Sequence, residues 1–211
     1  MRLRSADDLF SVAADDPQHA QAIAAHLRAT ETWLEVVPGI DSVVVRFDAA
    51  QLDADTARSK IENSLSAEVP PLDGSPDLVE IPVVYGGDDG PDLDELCQHI
   101  GMSEDEVVAL HTGIEYRVDM IGFTPGFAFI GGLDERLRVP RRRQPRQRVA
   151  AGSIGIADGR TGIYALASPG GWTIVGRTPL RLFDPGSSDP FTLRAGMRIR
   201  FTALKAGATG S

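Results

Sequence analysis

The chain has 211 residues, 42% hydrophobic and 24% charged, values of an ordinary folded protein with room for one large domain or two small ones. A formal net charge of −9 argues against a nucleic-acid partner, because a polyanion would meet a repulsive field. The single cysteine, Cys97, excludes a disulfide within the chain, fits a reducing compartment and is expected as a small core residue of a helix. No stretch approaches the roughly 20 apolar residues of a membrane span, and no apolar segment follows the basic residues at the N-terminus. These features predict a cytoplasmic protein with no membrane partner.

In chain order, Leu9 to Ala13 is an apolar stretch suited to a strand. Asp16-Pro17 then opens a helix, with Asp as cap and Pro at the first helical position. Ala20, Ile23, Ala24 and Leu27 recur at three- and four-residue spacing and form its apolar stripe. Trp33 to Val37 and Ser42 to Phe47 predict two strands around a Pro-Gly turn. Asp53 caps a second helix with Ala57, Ile61 and Leu65 on one face, and Leu78 to Tyr85 predicts a fourth strand. The order βαββαβ predicts a ferredoxin-like domain over residues 1–80.

A Gly-Pro loop at 86–91 leads into two short helices within 92–112. Asp92 with Glu95 and Ser103 with Glu106 have the spacing of capping boxes, and Gly101 and Gly113 are placed to end the helices. The pair imitates a helix-turn-helix. Its second helix begins Ser103-Glu104-Asp105-Glu106, an acidic surface that phosphates would repel, so a connector is expected instead.

From Glu115 onward short strands alternate with Gly and Pro. Tyr116 to Met120, Ser153 to Ala157, Gly162 to Leu166, Trp172 to Arg177 and Met197 to Thr202 predict a closed or nearly closed barrel. Residues Ala206 to Ser211 read as a frayed tail.

Three ordered runs stand out. One is Ile121-Gly122-Phe123-Thr124-Pro125-Gly126-Phe127-Ala128-Phe129-Ile130-Gly131-Gly132-Leu133-Asp134. The second is Val149 to Ala157, continued by Thr161-Gly162-Ile163-Tyr164. The third is Ser168-Pro169-Gly170-Gly171-Trp172, followed by Ile174 to Leu180 and Leu182 to Pro185. With Ile81 to Gly87 upstream, they closely resemble one family of the carboxyltransferase-domain C/D type. Its members are labelled as the B subunit of 5-oxoprolinase, as allophanate hydrolase subunit 1, or as a sporulation kinase inhibitor. Phe129-Ile130 is a mild departure, standing where the family pattern has Tyr followed by Leu or Met.

The resemblance implies an α+β protein in which a cyclophilin-like β-barrel over residues 81–211 follows the small α/β domain. It also implies a subunit 2/C partner in a heterodimer or heterotetramer, and ATP-dependent hydrolysis of a small amide such as 5-oxoproline by that complex. ATP, with Mg, would be held by this chain or by its partner, and the chain alone would be inactive. The alternative is a regulatory module that inhibits a histidine kinase.

Within the matched motifs, Arg146 and Arg177 are the candidate catalytic cations and His111 the candidate acid or base. Arg148, Ser153, Thr161, Gly162, Tyr164, Ser168, Gly170 and Gly171 are candidates for binding substrate or nucleotide. Phe123, Pro125, Phe127 and Trp172 are candidates for a partner contact or pocket. The same glycines and prolines equally serve barrel turns, and Arg141-Arg142-Arg143 equally forms a solvated loop or partner contact. The sequence has no G-x-x-x-x-G-K-[ST] loop, no nucleophile elbow at Gly152-Ser153 and no zinc spacing among its four histidines, so no structural metal is expected.

Overall fold

The computed structural model describes residues 3–29, 33–71 and 78–204. The chain forms two units, Met1–Ser75 and Pro76–Ser211. The predicted tail at 206–211 lies outside the described residues.

The first unit is a four-stranded sheet under two helices. Strands β1 (Leu3–Ala6), β2 (Leu9–Ala13), β3 (Glu35–Pro38) and β4 (Ser42–Arg46) pair in the order β1-β2-β4-β3, all antiparallel. The period-2 pattern decides the faces: Val43 and Val45 are fully buried, while Val44 between them is exposed. Helix α1 (Pro17–Arg28) is capped by Asp16, whose carboxylate accepts from the His19 amide, and buries Ala20, Ile23, Ala24 and Leu27 as the spacing predicts. Helix α2 (Ala54–Ser64) is capped by Asp53 and buries Ala57 and Ile61. Both helices join Phe10, Val12, Val36 and Phe47 in one core.

The βαββαβ expectation needs correction. The sheet edge assigned to Leu78–Tyr85 is taken by β1, which forms a hairpin with β2, so the connectivity is ββαββα. Leu78–Tyr85 is β5 and belongs to the second unit. Seven residue pairs, from Leu78–Arg198 to Val84–Leu204, tie it in parallel to β13 (Arg198–Leu204).

That parallel pair seeds a closed barrel. The remaining strands are β6 (Tyr116–Ile121), β7 (Ala128–Gly131), β9 (Ser153–Ala157), β10 (Arg160–Ile163) and β12 (Thr173–Arg177). The order around the barrel is β10-β7-β6-β13-β5-β12-β9, with every contact except β5–β13 antiparallel. Strands β8 (Arg146–Val149) and β11 (Ser168–Gly170) form a separate two-stranded ribbon.

Helices α3 (Leu93–Ile100) and α4 (Glu104–Thr112) connect β5 to β6 and pack on β12 and β13. They add Leu93, Leu96, Cys97 and Val107 to the barrel core. Gly101 ends α3 in the left-handed region at φ 70°, whereas Gly113 follows α4 with ordinary right-handed geometry. The Ser103–Glu106 capping box forms in both directions; the Asp92–Glu95 box does not, because Asp92 has other partners.

Candidate functional site

A polar thread runs through the barrel interior. His111, in the last turn of α4, faces inward one turn after Val107, and both are fully buried. Its Nδ1 lies 2.6 Å from the Tyr85 hydroxyl and its Nε2 lies 3.0 Å from Thr161 Oγ1. Thr161 donates its one hydroxyl proton to the Gly155 carbonyl at 3.2 Å. The threonine therefore accepts from Nε2–H, which leaves Nδ1 bare to accept the Tyr85 proton. The His111 ring stacks on Phe201 at 4.4 Å, and Tyr116 donates to the His111 carbonyl at 2.9 Å.

Burial pushes His111 down to about 3 and pushes the Tyr85 phenol up. At neutral pH the imidazole is neutral and held in one tautomer by partners on both sides. It is enclosed by protein, without access to solvent.

A second cluster surrounds Asp92, which is 2% exposed. Arg146 grips it with both guanidinium arms, Nη1 to Oδ2 at 2.8 Å and Nη2 to Oδ1 at 2.6 Å. Arg142 donates to Oδ1 at 2.9 Å, and the Ile174 amide donates to Oδ2 at 2.7 Å. One carboxylate thus joins the start of α3, strand β12 and the segment that leads into β8. Its hydrogen bond to Arg146 raises that guanidinium above its ordinary range, fixing it as a cation. Arg142 is held further by Glu95 at 3.4 Å and by its own amide, which donates to the Gly171 carbonyl at 2.7 Å.

Beside this cluster lies an aromatic nest. Phe127 meets Tyr164 at 4.8 Å, Phe129 at 4.7 Å and Trp172 at 5.5 Å between ring centroids, each edge to face. Two glycines make the nest possible. A Cβ on Gly162 would stand 2.9 Å from both the Phe127 and Trp172 rings, and one on Gly170 would collide with the Tyr164 hydroxyl. The Arg141 guanidinium sits 5.9 Å from the Trp172 ring centroid and pairs with Asp158 at 2.9 Å.

From the nest the 122–127 loop turns outward. Its turns are closed by the Thr124 amide on the Gly122 carbonyl and the Phe127 amide on the Thr124 carbonyl. Phe123 is held there at φ 67° and is 65% exposed, an unusual conformation for a bulky residue in an exposed position.

The structure thus brings Arg146, Gly162, Tyr164, Gly170, Gly171, Phe127 and Trp172 into one region. His111 and Thr161 meet inside the barrel. Arg177 stands apart at the end of β12, paired with Asp89, and Arg148 is exposed on β8. Ser153 is buried in β9, and the buried Ser168 Oγ has no hydrogen-bond partner among the described residues. Of the four aromatic-loop candidates, Phe123 and Pro125 are exposed, whereas Phe127 and Trp172 are core residues, at 1% and 5% exposure.

Sequence reasoning missed Tyr85, Asp92 and Arg142. Asp92 had a local explanation as a helix cap, and nothing near it in sequence announces arginine partners 50 and 54 residues away. Among the described residues, no group of three or more His, Cys, Asp or Glu side chains is placed to hold a metal ion. No helix among them is long and apolar enough to cross a membrane.

The family model for the carboxyltransferase domain, subdomain C and D, matches residues 6–193. The B subunit of 5-oxoprolinase from Escherichia coli O157:H7 is 43% identical over 174 residues, covering 82% of this chain and 79% of that protein. The B subunit of 5-oxoprolinase from Bacillus subtilis strain 168 is 36% identical over 196 residues, covering 88% of this chain and 82% of that one. Among solved structures, TTHA0988 in space group P212121 superposes with a TM-score of 0.81 at 34% identity, covering 97% of this chain and 40% of its own. The present chain therefore spans about two fifths of the length of that solved chain. It belongs to the carboxyltransferase subdomain C and D family, and within that family to the group of 5-oxoprolinase B subunits.

Proposed function

We propose that this chain is the B-type subunit of an ATP-dependent assembly that hydrolyses 5-oxoproline, acting with a subunit 2/C partner. The observation that carries the reading is the match, over about four fifths of their length, to proteins named as 5-oxoprolinase B subunits in two bacteria. The word subunit in those names supports a multi-chain assembly. So does the length of TTHA0988, in which a region like this chain is followed or preceded by further polypeptide.

In this reading the three candidate catalytic residues have different roles. His111, neutral and enclosed, is a positioning residue that joins β5 to β10 through Tyr85 and Thr161. Arg146 is committed to Asp92 and shapes the ribbon that carries Gly170. Arg177, about half exposed and paired with Asp89, is the one of the three able to reach a substrate by exchanging its partner. Arg148, Phe123 and Pro125 are exposed and serve the partner contact. Ser153, Thr161, Gly162, Tyr164 and Ser168 support the site from behind, since all five are buried.

The reading is tested by mixing the chain with its candidate subunit 2/C partner and measuring mass by light scattering during gel filtration. A single peak at the summed mass of a complex is expected. Separate peaks of the two chains at micromolar concentration would contradict it.

A further inference from the structure

Between α3 and the 139–144 loop lies a cleft of about 440 Å3. Its charge is opposite to that of the molecule. Arg141, Arg142 and Arg143 line it with a single carboxylate, Glu95, in a chain of net charge −9. Leu96 and Val139, both buried residues, supply an apolar floor.

The cations differ in what they have left to give. Arg141 and Arg142 are anchored, by Asp158 in one case and by Asp92 and Glu95 in the other. Arg143 is exposed and has no ion pair or side-chain hydrogen bond among the described residues. A guanidinium presents five donors in a rigid fork, and Arg143 spends none of them on Asp158, Asp92 or Glu95, the carboxylates that anchor Arg141 and Arg142. A phosphoryl group, with three oxygens and more than one charge, matches that fork. The volume exceeds that of a lone phosphate and leaves space over Leu96 and Val139 for an attached organic body.

We infer that this cleft is a binding site for a phosphorylated small molecule, with Arg143 holding the phosphoryl oxygens. The choice of ATP as its occupant rests on the function proposed above; the cationic cleft does not. Arg143 is the residue that tests it, because its exposure and lack of partners let it be replaced without disturbing the fold.

The experiment is calorimetric titration of the full chain at low ionic strength with ATP, inorganic tripolyphosphate and adenosine. ATP and tripolyphosphate should bind and adenosine should not. Arg143→Ala should weaken both anions about tenfold, as expected for loss of a charge-assisted contact. Arg58→Ala, in the first unit, should leave both unchanged, and melting curves should confirm that each variant is folded. Tripolyphosphate binding lost in Arg143→Ala while ATP gains nothing from its nucleoside would identify the occupant as a simpler phosphate and would keep the site. Failure of the wild type to bind tripolyphosphate, or equal binding by Arg143→Ala, would overturn the site. A reconstituted complex that turns over 5-oxoproline with an unchanged KM for ATP in Arg143→Ala would overturn ATP as the occupant of the cleft, while leaving the proposed function standing.

Discussion

The Tyr85 hydroxyl and His111 Nδ1, 26 residues apart in sequence, lie 2.6 Å from each other inside the barrel. This contact ties the end of β5 to the last turn of α4, with His111 fully buried and Tyr85 partly so. Tyr85→Phe removes the donor and leaves Nδ1 buried without a partner, at a cost of about 1–2 kcal/mol. Urea unfolding in a Trp33→Phe background, where Trp172 alone reports the barrel, measures it. A change below a few tenths of a kcal/mol would show that the hydrogen bond has no net weight.

The same thread makes stability depend on pH. His111 has a folded pKa near 3, below the ordinary 6.5, because burial disfavours the imidazolium. Between those values the unfolded chain binds the proton and the folded chain does not, so protonation favours unfolding. The contribution is complete above about pH 6.5 and is lost progressively as pH falls toward 3, with a slope approaching about 1.4 kcal/mol per pH unit. Comparing urea unfolding at pH 7, 6 and 5 for the wild type and His111→Gln isolates this slope, since glutamine retains hydrogen-bonding capacity without titrating. The variant should show a flatter profile; parallel profiles would contradict the assignment.

Asp92 is the more critical member of its cluster. Asp92→Ala strips two guanidiniums and the Ile174 amide of their acceptor at once, and should cost about 2–4 kcal/mol. Arg146→Ala leaves the carboxylate still served by Arg142 and Ile174, and should cost about half as much. The order of the two effects in denaturant unfolding is the test, and the reverse order would contradict the geometry.

The aromatic nest depends on the missing side chain of residue 162. Gly162→Ala forces the Phe127 and Trp172 rings apart from positions 2.9 Å from the new methyl group. A destabilisation of about 1–3 kcal/mol is expected, together with a shifted Trp172 emission spectrum. An unchanged spectrum would show that the rings have room to yield.

The parts of the fold with local signatures were legible. The stripe Ala20, Ile23, Ala24, Leu27 and the alternation across Val43 to Val45 each identify a buried face because neighbours in sequence share it. Strand β1 was not legible. Leu3-Arg4-Ser5-Ala6 lies at a sheet edge with an exposed pattern, and so has no alternation to read. The apolar run Leu78–Tyr85 suits either sheet, and its actual partner begins 120 residues later at Arg198, a distance that no local pattern encodes.

The site divides in the same way. The glycines at 162 and 170 and the aromatics at 127, 164 and 172 stood out as motifs, and the structure brings them together. The burial of His111 and the joining of Asp92 to Arg142 and Arg146 depend on barrel closure, so they emerge only once the fold is complete.

The central claim, that this chain serves as one subunit of a 5-oxoproline-hydrolysing assembly, is tested most directly by glutamate release. Purified chain, purified partner subunits and their mixture are each supplied with 5-oxoproline, ATP and Mg. The account predicts ATP-dependent glutamate formation in the mixture and none when this chain is omitted. A verified complete assembly that forms no glutamate, or one equally active without this chain, would contradict it.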